Sequence, residues 1–161
     1  IKYDKKDPLI EIRDVNSQPL GAHDLLITAK TAAVNTLDNL ISHGDLKLVV
    51  PYKLPQTMGN EFVGIIEKVG LEVTKFKIGD RIFARNPVDN IGAFAQKIVI
   101  NEKAGAKVPE YLSDQEAAAV PLTALTAMQA FQLLNLKAGQ TLFNSGGSGD
   151  FGAMAILLAI A

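Results

Sequence analysis

The sequence predicts a mainly β domain that gives way near residue 110 to helix, and then to the opening strand, loop and helix of a second, α/β domain. Three observations predict it. Over the first hundred residues, short apolar or alternating runs are separated by turn residues. Ser113 and Glu116 then stand three apart ahead of an Ala-rich helical stretch. Finally, a short apolar run leads through clustered glycines into a second helical run.

Taken in order, Ile10–Val15 alternates apolar and polar residues and predicts a strand. Leu25–Val34, rich in β-branched residues, predicts another. A short helix is expected from about Thr36 to Ser42, with Asp38 in its first turn, His43 near its end and Gly44 just past it. Phe62–Gly70, Arg81–Ala84 and Ala93–Ile100 predict three further strands. Turn chemistry separates the strands at Pro19–Gly21, Gly79–Asp80 and Asn86–Pro87. Many short strands of this kind suggest a barrel or a sandwich. Ser113 and Glu116 form a capping box, and Leu122–Asn135 has helical spacing. Thr141–Asn144 predicts the first strand of the second domain. The expected domains are 1–111 and 112–161.

Composition narrows the function. Sixteen Lys+Arg against 17 Asp+Glu give a formal charge of −1, which argues against a strongly basic nucleic-acid binder. The chain has no cysteine. That excludes a disulfide scaffold, a Cys-ligated zinc site, an iron–sulfur cluster and a cysteine nucleophile. No secretory signal is visible at the charged N-terminus. The longest apolar run, residues 151–161, is short of the about 20 residues a membrane span needs. The chain opens without Met and closes inside a helical run, so a piece of a longer protein is expected.

Gly147-Ser148-Gly149-Asp150-Phe151-Gly152 is a G-x-G-x-x-G that follows a predicted strand and opens a predicted helix. Glycines let the backbone approach a pyrophosphate, and the helix N-terminus supplies free N–H groups and partial positive charge. Ser145, Gly146, Gly147, Ser148, Gly149, Asp150, Phe151 and Gly152 are therefore the candidate cofactor-binding residues, acting mainly through backbone. Asp150 is the odd member: its carboxylate favours a helix N-terminus but repels a phosphate.

Several stretches are similar to those of the medium-chain dehydrogenase/reductase superfamily, and within it to the zinc-independent quinone oxidoreductase-like branch. They are Ala32–Gly44, Met58–Gly70, Phe76–Ala84, Leu112–Phe131 and Leu136–Ile156, in the family's order. The resemblance covers essentially the whole chain but little more than the N-terminal half of full-length members. It implies a chaperonin-10-like barrel followed by a Rossmann domain. It also implies NADPH as cofactor, a quinone or enone as small-molecule acceptor, a cytoplasmic site and a homodimer in the full-length form. The residue that would choose NAD or NADP is expected about 20 positions past the glycine loop, beyond Ala161.

The resemblance also assigns residues. Asn35 matches an Asn close to the nicotinamide, although Asn is equally a favoured N-cap. Thr126 matches a Thr that contacts the nicotinamide ribose or carboxamide, with back-bonding to its own helix as the alternative. Thr123 is a weaker neighbour. Tyr52 lies in a loop that borders the acceptor pocket in relatives, where a phenol donates a proton or stacks. Glu61 reads as a leftover second acid or a structural ion pair. Asp38 reads as a helix-terminus acid or a partner of Arg81. Zinc-dependent relatives carry Cys and His where this chain has Asn35 and Asn60, and an amide oxygen is a poor zinc ligand. No metal is expected, and His23 and His43 read as turn histidines. Without a Lewis acid, a conjugated acceptor that delocalises charge is favoured. The rival reading is a non-catalytic module that retains the barrel.

Overall fold

A computed structural model of the chain describes residues 10–16, 18–48 and 55–161. Tyr52 lies outside the described residues. Among the described residues five strands form one antiparallel sheet: β1 (Asp24–Ala33), β2 (Glu61–Val69), β3 (Arg81–Arg85), β4 (Lys97–Asn101) and β5 (Gly105–Lys107), in the order β4-β1-β2-β3-β5. Among the described residues four α-helices accompany it: α1 (Thr36–His43), α2 (Asp114–Ala118), α3 (Pro121–Leu134) and α4 (Asp150–Ile160). No helix among the described residues is long and apolar enough to cross a membrane.

Alternation decides which face of the sheet is buried. Leu25 opposes Ile100, and Ile27 opposes both Ile98 and Ile66. Phe62 opposes Ala84 and Gly64 opposes Ile82. Apart from Gly64, these residues form one apolar core with Ala93, nearly all of it shielded from solvent. Gly64 is required by the closeness of this packing. A Cβ there would lie 2.3 Å from Ile27 Cγ2 and 2.6 Å from the Thr28 carbonyl oxygen. The opposite face carries Val63, which packs with Val108, Ala117 and Ala118 and so seats α2 on the sheet. Irregularities in the β1–β2 ladder, one of them skipping Lys30 between Ala29 and Thr31, let the long β1 keep its inward residues aligned.

Two expected strands do not form. Ile10–Val15 is irregular, with Ile12 fully exposed. Thr141–Asn144 joins no ladder, and Phe143 is 90% exposed. Alternation or β-propensity makes a strand only where another strand completes its hydrogen bonds, and among the described residues none lies beside either segment. Ala93–Ile100 shortens to β4. The N–H groups of Ala93 and Phe94 turn instead to the carbonyls of Gly59 and Met58.

The helices follow their sequence signals. Gly44 ends α1 in the left-handed conformation (φ 76°). The Ser113–Glu116 capping box opens α2, and Pro121 takes the first turn of α3, where its missing N–H costs nothing. Arg81 reaches across to pair with Asp114 at 2.9 Å, not with Asp38. This ties β3 to α2 and leaves Asp38 for the site.

Candidate functional site

The glycine loop is built by backbone proximity. Gly146 has φ 78°, and its carbonyl accepts the N–H of Gly149 at 3.0 Å. Gly149 is the N-cap of α4 in extended conformation. A Cβ on Gly152 would sit 2.2 Å from the Gly146 carbonyl oxygen, so any side chain at that position forces loop and helix apart. Asn144 Nδ2 donates to the Gly152 carbonyl at 2.9 Å and closes the unit from the other side.

Opposite the loop stands the β1–α1 junction. Asn35 is the N-cap of α1. Its N–H donates to Asp38 Oδ2 at 2.8 Å, while its carbonyl accepts the Asp38 N–H at 3.0 Å. Asp38 Oδ1 accepts from Asn60 Nδ2 at 2.8 Å. Asn35 Nδ2 donates to Glu61 Oε1 at 2.7 Å, and Glu61 Oε2 accepts the Leu122 N–H at 2.7 Å. Asp38, Asn60 and Glu61 are buried, and buried charge is tolerated only with such partners. Burial pushes the Glu61 carboxyl above its ordinary value, and Asp38 pushes the same way. The Leu122 N–H, the Asn35 amide and the Arg85 charge oppose the rise. The Glu61 oxygens are thus taken by two N–H donors rather than by a cation, which corrects the ion-pair expectation.

Between these two walls lies a cleft of about 320 Å³. Asn35, Thr36 and Leu37 line one side, and Leu122 and Thr123 line the α3 end. Gly146, Gly149, Asp150, Phe151 and Gly152 line the other side. Seven of the sequence-assigned residues, Thr123 among them, therefore meet in one cavity. Ser145, Gly147 and Ser148 belong to the loop without lining the cleft. Thr126 is exposed, and its hydroxyl donates to the Leu122 carbonyl at 2.6 Å. Thr123 back-bonds in the same way to Ala119 and Val120.

Sequence reasoning assigned Glu61 no link to α3 and overlooked Leu122. A signal existed for Glu61: a carboxylate opening a strand whose next five residues are all apolar or glycine. For Leu122, whose contribution is a backbone N–H, no side-chain signal exists. His23 pairs with Glu72 at 2.9 Å and Glu102 at 3.2 Å, and His43 Nδ1 lies 2.7 Å from the Asn39 carbonyl. Among the described residues no group of three or more His, Cys, Asp and Glu could hold a metal ion.

The family model of the alcohol dehydrogenase GroES-like domain matches residues 21–110. The chain is 35% identical to the dehydrogenase pigH of Monascus ruber over 177 aligned positions, covering 98% of the chain and 48% of that protein. It is 30% identical to quinone oxidoreductase-like protein 2 of Rattus norvegicus, over 96% of the chain and 43% of the relative. The solved structure of mycobacterial Rv1454c complexed with NADPH superposes with a TM-score of 0.77 at 29% identity, over 92% of the chain and 44% of that structure. The chain spans about half the length of the dehydrogenase and quinone oxidoreductase relatives it matches.

Proposed function

Because the chain belongs to the family of the alcohol dehydrogenase GroES-like domain, we propose that it is part of an NADPH-dependent, zinc-free oxidoreductase that reduces a quinone or an activated alkene. The observation that carries this reading is the cleft in which Asn35 faces the glycine loop. The 2.2 Å approach that a Gly152 Cβ would make to the Gly146 oxygen supports the cofactor assignment. It reflects a loop folded tightly onto a helix N-terminus, the setting that suits a pyrophosphate. The quinone oxidoreductase-like relative and the structure solved with NADPH point the same way.

In this reading backbone N–H groups of the loop, those of Gly146 and Gly152 among them, hold the pyrophosphate, while Gly149 gives its own N–H to the Gly146 carbonyl and Phe151 closes the wall. NADPH, when bound, supplies a hydride that together with one proton converts a quinone to its hydroquinone, or saturates the alkene of an enone. Asn35 offers its amide to the cofactor or the acceptor oxygen. The Thr126 hydroxyl, already donating to Leu122, serves only as an acceptor. Tyr52 is the assigned proton donor or stacking ring. The barrel at 1–111, the nucleotide unit from 112, a homodimer and a cytoplasmic site complete the proposal. Asn35 and Asn60 point their amide nitrogens at carboxylates, an arrangement that does not suit a zinc ion. Elemental analysis is expected to find no stoichiometric zinc, and chelation to leave activity unchanged. Activity lost on chelation and restored by zinc contradicts the zinc-free assignment.

The rival reading, a non-catalytic module, is favoured by one observation. Asp150, an acidic residue, lines the cleft beside the glycines that would hold a pyrophosphate. NADPH titration separates the two: saturable binding supports the reductase, and none supports the module.

A further inference from the structure

We propose that Glu61 is a positioning residue that latches the sheet to α3 and thereby sets the separation of the cleft walls. The proposal rests on the reading of the cleft as an NADPH site. Glu61 is 1% exposed and touches no solvent-filled space, yet each of its oxygens holds a residue that lines the cleft. Oε1 takes Asn35 Nδ2 at 2.7 Å, from the β1–α1 junction. Oε2 takes the Leu122 N–H at 2.7 Å, at the start of α3.

The Leu122 contact is informative because the first N–H groups of a helix have no partner within it. Here a carboxylate from another element supplies one, and it also suits the positive end of the helix dipole. The same carboxylate holds the Asn35 side chain against the sheet. Asp38 and Arg85 are the charged groups that face it, and Asp38 is itself held by Asn60 and the Asn35 N–H. The Asn35 wall and the Leu122 wall are therefore referenced to one buried group at the head of β2. A single rigid reference of this kind keeps a site's dimensions fixed while loops around it move.

The test begins with the unaltered protein, the natural product of the reading frame that contains this chain. Its Leu122 amide, standing in the first turn of a helix, is expected to exchange slowly with solvent by NMR; fast exchange overturns the latch. Glu61→Gln then replaces two acceptor oxygens with one, so both contacts cannot persist as they stand. Exchange at Leu122 is expected to accelerate and NADPH affinity to fall by about tenfold, the size that loss of one charged hydrogen bond gives. The control is Ile100→Val, a core variant on β4 facing Leu25 and away from the cleft. It is expected to lower thermal stability with no change in NADPH affinity. Exchange unchanged by Glu61→Gln overturns the latch. Faster exchange with unchanged affinity overturns the positioning role, as does an equal affinity loss in the control. If the unaltered protein binds no NADPH, the cofactor reading and the positioning role both fall. The exchange data then show separately whether sheet and helix are joined at Glu61.

Discussion

Asp150 occupies the first position of α4 and lines the cleft, and two effects of opposite sign meet there. Its charge favours the helix N-terminus by about 0.3–1 kcal/mol. Against a pyrophosphate the same charge costs about 1 kcal/mol at 4 Å in water and about 4 kcal/mol at an effective dielectric of 20. The residue is exposed, so the lower figure applies, and it still outweighs most of the helix term. Asp150→Gly is expected to tighten NADPH binding by roughly fivefold at low salt and less at high salt, where screening has already weakened the repulsion. Dissociation constants at two ionic strengths check this; weaker binding by the variant at low salt contradicts it. Glu61 gives a second prediction at this scale. Burial raises its carboxyl above the ordinary 4.5, so between 4.5 and the raised value the folded chain binds more protons than the unfolded one. Stability from this group therefore falls as pH rises through that window, and the loss is complete above it. Denaturant midpoints across that range are expected to fall less steeply in Glu61→Gln, and parallel slopes contradict the raised value.

The elements carry predictions of their own. Ser113 caps α2 and, through its hydroxyl and its N–H, holds the Glu116 carboxyl below its ordinary value. Ser113→Ala is expected to cost about 1 kcal/mol near neutral pH. A lowered carboxyl pKa contributes stability above the unfolded value and loses it as pH falls through the folded value. The difference between variant and parent should therefore shrink in acid, as equilibrium unfolding at several pH values will show. At the loop, Gly152→Ala drives a Cβ into the Gly146 carbonyl. It is expected to abolish nucleotide binding while leaving the sheet's far-UV signal intact. The same elements show what sequence can reveal. β1, β2, β3 and the capped helices were legible to within a residue or two, because β-branched runs, turn residues and caps act locally. Ile10–Val15 and Thr141–Asn144 were not, because alternation states which face a strand would bury but not whether a partner lies beside it.

Over the whole molecule, apolar surface is unevenly covered. The sheet core is closed, but α3, the segment before the glycine loop and α4 leave Leu133, Phe143, Leu157 and Ile160 largely exposed. Apolar groups in that number are expected to drive association of the 161-residue chain, giving a mass that rises with concentration in sedimentation. A monomer at all concentrations contradicts this. The site itself was legible in part. The glycine loop announced itself by spacing, whereas Asn35 entered only through resemblance, since nothing local reveals that residue 35 faces residues 146–152 across a cleft. The Leu122 contact had no signal at all, being made by a backbone N–H. The most direct test of the central claim is acceptor-dependent NADPH oxidation by the natural product of the reading frame that contains this chain, against a panel of quinones and enones. NADPH consumption that saturates with a quinone or an enone, and is lost in Gly152→Ala, is the expected result. No acceptor-dependent oxidation across the panel, with the protein folded, contradicts it.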